Sequence, residues 1–416
     1  MKKVRCVLVG TGTRGISSYV KPIVNGHLSD RVELVGIYDA VKERAELCSA
    51  DFGGIRVFDD FNEMLKVCRA DIAIVTVKDA AHEEYIIKAL ESGYNVITEK
   101  PMTTTVSSAK RILDAEKKSG RWVRVIFNMR YMKPFCDIKS IIMSGKIGKV
   151  RHINLEWRLD RSHGADYFRR WHRYLENTNS LLVHKSTHHF DILNWLICGE
   201  PSEVFANCTL EFYGKNGSYR GECCHKCEHT AECPFYVDVT KDDFKKRYFY
   251  ELEEFSGYYR DGCVFDEKID IFDRMAVSVK YKNSVTVNYS LIAYSIDEGF
   301  TISVLGEEGR LELAFDLAAE ENKYGLVTKP TSEIKLITAD GVSLLPTGLG
   351  EGDHGGADDL MREQIFFEDE NNDPLSRRAG AYDGCISLAI GDLAVKSNSL
   401  GEKVKLSSYL VRPKKP

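Results

Sequence analysis

No stretch of this 416-residue chain approaches the roughly 18–20 consecutive apolar residues needed to span a bilayer, so a soluble protein is expected. Charge of one sign is equally scarce. The formal net charge is -5 with acids and bases interspersed, leaving no basic stripe to neutralise a phosphate backbone, and nucleic acid is not an expected partner. There is no internal repeat and no low-complexity linker. Met1-Lys2-Lys3 followed by the apolar run Val4–Val9 has the outline of an export signal, but the run stops at Gly10 and no cleavage site follows. A cytoplasmic location is therefore expected. In that compartment twelve cysteines point to free thiols or metal ligands rather than a disulfide framework.

What the sequence does contain is two rhythms. Val4–Val9, Val32–Tyr38, Asp71–Val77, Asn95–Thr98 and Val123–Phe127 are short β-rich runs without alternation, as in strands buried on both faces of a parallel sheet. Between them, Arg14–Asn25, Ala80–Ser92 and Val106–Ser119 carry apolar residues at helical spacing, the last behind the hydroxyl caps Thr103-Thr104-Thr105. After about Met129 the pattern changes to a helix near Pro134–Ser144, a strand Arg151–Leu159, a loop rich in Arg and Trp, and a helix Thr187–Ile197. Alternating strands Val204–Tyr213, Met275–Lys282, Val285–Tyr294 and Phe300–Leu305 follow, with a turn at Lys282-Asn283-Ser284. Helices Ala357–Phe367 and Ala379–Leu400 close the chain, while Arg310–Gly350 reads only as surface strands and loops. The expected fold is α/β: a doubly wound parallel sheet in residues 1–128, plus an α+β domain with a large, mostly antiparallel open sheet in residues 129–416. Helices on one face of that open sheet would leave an apolar face for a partner subunit, so a homo-oligomer, dimer or tetramer, is expected.

Gly10-Thr11-Gly12-Thr13-Arg14-Gly15 fits G-x-G-x-x-G after a strand and at the opening of a helix. The first glycine permits the turn, the second lets backbone approach a pyrophosphate, and the third allows helix and strand to pack closely. Asp39 stands at the end of the second strand, where a carboxylate bonds ribose hydroxyls and repels a 2′-phosphate, favouring NAD over NADP. Lys42 and Arg44, close behind it, keep NADP open.

At the fourth strand the chain reads Val96-Ile97-Thr98-Glu99-Lys100-Pro101, and with Thr76, His82, Gly93 and Asn95 this resembles the glucose-fructose oxidoreductase, inositol 2-dehydrogenase and MocA (Gfo/Idh/MocA) family. Asn128, Arg130 and Tyr131 fall where that family continues with N-x-R-[FY]. The resemblance implies an NAD(P)-dependent Rossmann domain with Thr76, His82, Glu99 and Lys100 around the cofactor, Lys100 also reaching the reacting hydroxyl. It further implies that Arg130 and Tyr131 border the substrate. In the second domain the family carries an aspartate and, four residues later, a histidine. Here His184 occupies the aspartate position in His184-Lys185-Ser186-Thr187-His188-His189-Phe190-Asp191.

His188 is the expected general base or acid, because imidazole titrates near working pH, and His184 a second proton carrier or a substrate ligand. Lys185, His189 and Asp191 complete the expected substrate side. A metal bridging His184 and His188 is the alternative, opposed by the neighbouring Lys185. The loop Phe168-Arg169-Arg170-Trp171-His172-Arg173 supplies aromatic faces and donors for a sugar ring, with Trp171, His172 and Arg173 as contacts.

Cys223, Cys224, Cys227 and Cys233 are bunched, and Cys263 follows in an Asp-Gly-Cys turn. Cys224, Cys227, Cys233 and Cys263 are the expected ligands of a structural zinc; unligated thiols and an iron-sulfur cluster are the alternatives. The functional expectation is hydride transfer between NAD and a secondary alcohol of a sugar, glycoside or polyol. Two other readings stand beside it: an enzyme that keeps its NAD and eliminates or epimerises through a keto sugar, and a dinucleotide-binding protein without catalysis.

Overall fold

The non-alternating apolar runs of the amino-terminal part pair side by side as parallel strands. In the computed structural model, which describes residues 2–316, 333–350, 355–367 and 373–408, these are β1 (Val4–Val9), β2 (Val32–Tyr38), β3 (Ile72–Val75), β4 (Asn95–Thr98) and β5 (Val123–Val125). All four residues of β3 are buried, the mark of a strand covered on both faces. The sheet order is β14-β5-β4-β3-β1-β2, where β14 (Ala379–Gly380) comes from far along the chain and pairs antiparallel with β5. The Thr105 side chain accepts the Ser108 N–H and starts the helix Val106–Ser119, which ends at Gly120 in the left-handed region.

The second sheet holds β6 (Val150–Asp160), β7 (Pro201–Thr209), β8 (Arg274–Tyr281), β9 (Thr286–Ser295), β10 (Gly299–Gly306), β11 (Gly309–Asp316), β12 (Glu333–Thr338), β13 (Gly341–Pro346) and β15 (Val404–Lys405). Its order is β13-β12-β11-β10-β6-β9-β8-β7-β15, and every pairing except β6 with β9 is antiparallel. The alternation of buried and exposed residues along β8 leaves one face for the core and one for water. Helices Ser186–Ile197 and Ala381–Leu400 pack on each other, the latter along β7.

The open face corrects one expectation. It is polar: Asn154 accepts from Asn288 at 3.1 Å and donates to Ser303 at 3.3 Å, and Arg158 pairs with Asp297 at 2.9 Å. The argument for a partner subunit from a bare apolar face therefore falls. Two helices in the first sheet's connections, Lys42–Asp51 and Phe61–Cys68, and a third, Arg161–Arg169, lie where none was expected. The Arg310–Gly350 stretch resolves into most of β11, then β12 and β13, with residues 317–332 outside the described part.

Candidate active site at the carboxyl ends of the parallel strands

The glycine turn follows β1, Asp79 follows β3 and Lys100 follows β4, so all three stand at the edge where parallel α/β sheets bind ligands. Gly10 has φ +96°, and a Cβ there would lie 2.6 Å from the Thr76 carbonyl oxygen. A Cβ on Gly15 would lie 2.1 Å from the Gly10 oxygen. Both glycines are demanded by the packing of turn on strand. Gly12 is different: no described atom lies within 4 Å of its Cβ position and its φ is -75°. The fold itself does not need a glycine there, whereas a pyrophosphate lying against the backbone does.

Thr76 Oγ1 donates to the Gly10 oxygen at 2.6 Å, and Asp39 accepts from Thr11 N at 2.7 Å and Thr11 Oγ1 at 2.9 Å. The other Asp39 oxygen takes Val41 N at 2.9 Å and Arg44 at 3.3 Å. Thr13 is exposed beside Gly12 at the helix start. Arg14 and Glu99 bond each other at 2.7 Å, and Arg14 also reaches Asp358 at 3.1 Å. Their side chains fasten the turn to the segment after β4 instead of standing open to a cofactor. His82 is buried between the Pro101 oxygen at 2.8 Å and the Val77 oxygen at 3.1 Å, and burial pushes it down to about 4. It clamps two loops of the site.

Lys100 Nζ donates to the His184 carbonyl at 3.0 Å, and burial lowers its pKa to about 8 against the pull of Asp79. His184 Nδ1 lies 2.5 Å from Asp79 Oδ2. Burial raises the Asp79 carboxyl and, with Lys100, lowers the His184 imidazole, each toward its neutral form. Its Nε2 has no hydrogen bond among the described residues. The His172 ring lies 4.1 Å from that of His184, and Tyr167 and Trp171 meet it edge-on at 5.6 and 5.7 Å. His188, half-buried on the next helical turn, stands edge-on to Phe127 at 6.0 Å.

Several expected substrate contacts sit elsewhere. Arg130 and Asp191 form a buried two-pronged ion pair at 2.6 and 2.7 Å, which Asp383 joins at 3.2 Å, and it locks the turn Asn128–Tyr131 to two helices. Tyr131 is buried under Arg377. His189 is stacked on Trp157 at 4.0 Å and bonded to the Tyr289 hydroxyl at 2.7 Å, inside the second core. Arg173 turns to the Cys263 oxygen and Asp266, both at 3.2 Å. Lys185 lies 5.7 Å from the Trp157 ring centre and is lowered by burial.

A model of the oxidoreductase family's NAD-binding Rossmann fold matches residues 4–127, and one of its C-terminal alpha/beta domain matches residues 139–406. The chain belongs to the Gfo/Idh/MocA oxidoreductase family. As a member it is an NAD-dependent oxidoreductase. YteT of Bacillus subtilis (strain 168) is 34% identical over 416 positions, 93% of this chain and 94% of that protein. The scyllo-inositol 2-dehydrogenase (NAD(+)) of the same organism is 27% identical over 51% of this chain and 61% of its own length. Among solved structures, a levoglucosan dehydrogenase in complex with NADH superposes with TM-score 0.68 at 18% identity, covering 97% of this chain and 99% of that one. An Agrobacterium radiobacter oxidoreductase in complex with NAD+, L-tartaric acid and magnesium gives 0.66 at 16%, covering 98% and 100%.

In this Gfo/Idh/MocA protein the sequence left Asp79 unread, although its place just past the third strand was visible. The zinc expectation is corrected. A zinc ion with Zn–S bonds of about 2.3 Å draws its thiolates to about 3.8 Å from one another. Among the described residues the one set of three metal-binding groups within 4.8 Å is Cys223, His225 and Asp261, and no three of Cys224, Cys227, Cys233 and Cys263 come so close.

Proposed function

We propose that this enzyme transfers hydride between NAD and a secondary alcohol carbon of a sugar, glycoside or polyol, with Lys100, His184 and Asp79 managing the hydroxyl proton. The observation that carries the reading is the convergence of these three residues, 2.5 and 3.0 Å apart in sequence of contact, beside the glycine turn. NAD supplies the hydride acceptor, or in reverse the donor. In the oxidation direction neutral Lys100 takes the hydroxyl proton as the carbon loses hydride, leaving a ketone. His184, fixed through Nδ1 by Asp79, presents Nε2 to the same oxygen, and the low polarity that depresses Lys100 strengthens both contacts. His188, on the helix Ser186–Ile197 that follows His184, is a further proton carrier. Trp171, half-buried beside the packed His172 ring, offers a ring face to a carbohydrate. The Asp39 carboxylate supports NAD over NADP, although its pairing with Arg44 blunts the repulsion of a 2′-phosphate.

The inositol and levoglucosan dehydrogenases among the similar proteins point to the same substrate class. The test is to incubate the protein with NAD and a panel of inositols, free hexoses, glycosides and sugar acids while following NADH. Stoichiometric NADH with one of them supports the reading. Product formation without net NADH would replace it with the retained-cofactor mechanism, and no conversion of any member would overturn it.

A further inference from the structure

The stretch 210–273, which joins β7 to β8, contains only short helical turns and no strand, yet it must hold a fixed shape against the active-site loop. Two parts of the stretch are drawn together by backbone bonds: Cys224 N donates to the Asp261 oxygen at 2.9 Å and Cys263 N to the Glu222 oxygen at 3.1 Å. Cys224, Cys227, Cys233 and Cys263, with Cys223 beside them, then line one recess that opens to solvent.

Three of these sulfurs receive N–H donors. Arg169 Nη1 reaches Cys224 Sγ at 3.3 Å, His229 N reaches Cys227 Sγ at 3.4 Å, and Phe265 N reaches Cys263 Sγ at 3.4 Å. Donors aimed at sulfur, one of them a guanidinium, are bonds of the kind that tune metal–sulfur centres. The thiols are too widely spaced for one ion, as no three fall within 4.8 Å. A cluster in which each thiolate takes a different metal atom spreads its ligands wider than a lone ion does. Cys224 and Cys227 stand in the C-x2-C spacing common to metal and cluster sites, with Cys233 six positions further on before Pro234. The close set Cys223, His225 and Asp261 does not compete. Asp261 already takes His225 Nδ1 at 2.9 Å, and Glu253 lies 3.4 Å from Nε2.

We propose that Cys224, Cys227, Cys233 and Cys263 bind an iron–sulfur cluster of the four-iron type. The cluster anchors the active-site loop from behind, because Arg169 bonds Cys224 Sγ and Arg173 bonds the Cys263 oxygen at either end of Arg170-Trp171-His172.

The test is iron and acid-labile sulfide analysis of the full chain purified without oxygen, repeated after incubation of purified protein with ferrous iron and sulfide. About four irons and four sulfides per chain, with a broad visible absorption that dithionite bleaches, are expected. Cys263→Ser and Cys227→Ser should each lower iron below one per chain, while Cys223→Ser, which removes a neighbouring thiol outside the set, retains it. Wild-type protein with stoichiometric zinc and no sulfide would overturn the proposal. So would wild-type protein that takes up neither iron nor sulfide, or full iron retained by both Cys263→Ser and Cys227→Ser.

Discussion

Among the described residues two close histidine–aspartate pairs share nearly the same geometry, and only one of them stands in the cleft. His184 lies 2.5 Å from Asp79 and His225 lies 2.9 Å from Asp261, each through Nδ1. Their other nitrogens differ. The carboxylate of Glu253 lies 3.4 Å from Nε2 of His225, whereas Nε2 of His184 carries no bond among the described residues and its carbonyl holds the Lys100 ammonium. A carboxylate fixes an imidazole in either setting; reactivity belongs to the ring whose second nitrogen remains reachable and whose neighbours are held away from their ordinary charge states.

Removing the lysine should break that contrast most severely. Lys100→Ala is expected to lower turnover about a thousandfold while NAD affinity stays within a few-fold, since a positioned proton carrier contributes 10²–10⁴-fold; parallel steady-state kinetics and NAD titration would show it, and unchanged turnover removes Lys100 from the chemistry. Asp79→Asn should cost about a hundredfold in kcat with the fold intact by circular dichroism. Acidity sharpens the comparison further. Lys100 accepts the hydroxyl proton only when neutral, and burial brings its pKa down to about 8. Alcohol oxidation measured as kcat/KM should therefore rise roughly tenfold per pH unit below 8 and level off above it. A profile flat from pH 6 to 9 would refute that assignment.

Gly12→Ala should weaken NAD binding about tenfold without moving the melting temperature, because the new methyl meets only ligand; Gly15→Ala should cost 1–3 kcal/mol of stability through its clash with the Gly10 oxygen, roughly the cost of overpacking. Equal thermal effects of the two changes would show that Gly12 serves the fold. The smallest effect belongs to the second pair: His225→Asn should change turnover less than twofold and stability by about 1 kcal/mol.

Much of this was legible along the chain, and the failures have local causes. β1 and β2 start and stop where their apolar runs do. The helix Lys42–Asp51 escaped notice because its few apolar residues make no stripe, and Phe61–Cys68 because two turns are short, although Asp60 caps it in the ordinary way. The run Val204–Tyr213 leaves the sheet early, at Thr209, because Asp273 gathers the N–H groups of Glu211, Phe212 and Tyr213 at 2.7–3.1 Å. No neighbour in sequence announces that turn. The cofactor glycines were readable from spacing alone, whereas Asp79 meets His184 across 105 positions and Arg130 meets Asp191 across 61. Charged groups that look available in a string of letters are often already spent on one another.

The two-residue strand β14 has a consequence for how the chain comes to be folded. The amino-terminal sheet keeps one edge unfinished until residues 379 and 380 arrive to pair with Val125 and Arg124. During synthesis β5 therefore stays open along one side until residues 379 and 380, about 250 positions later, have emerged. An isolated fragment ending near residue 128 would carry that open edge permanently and invite strand-to-strand association.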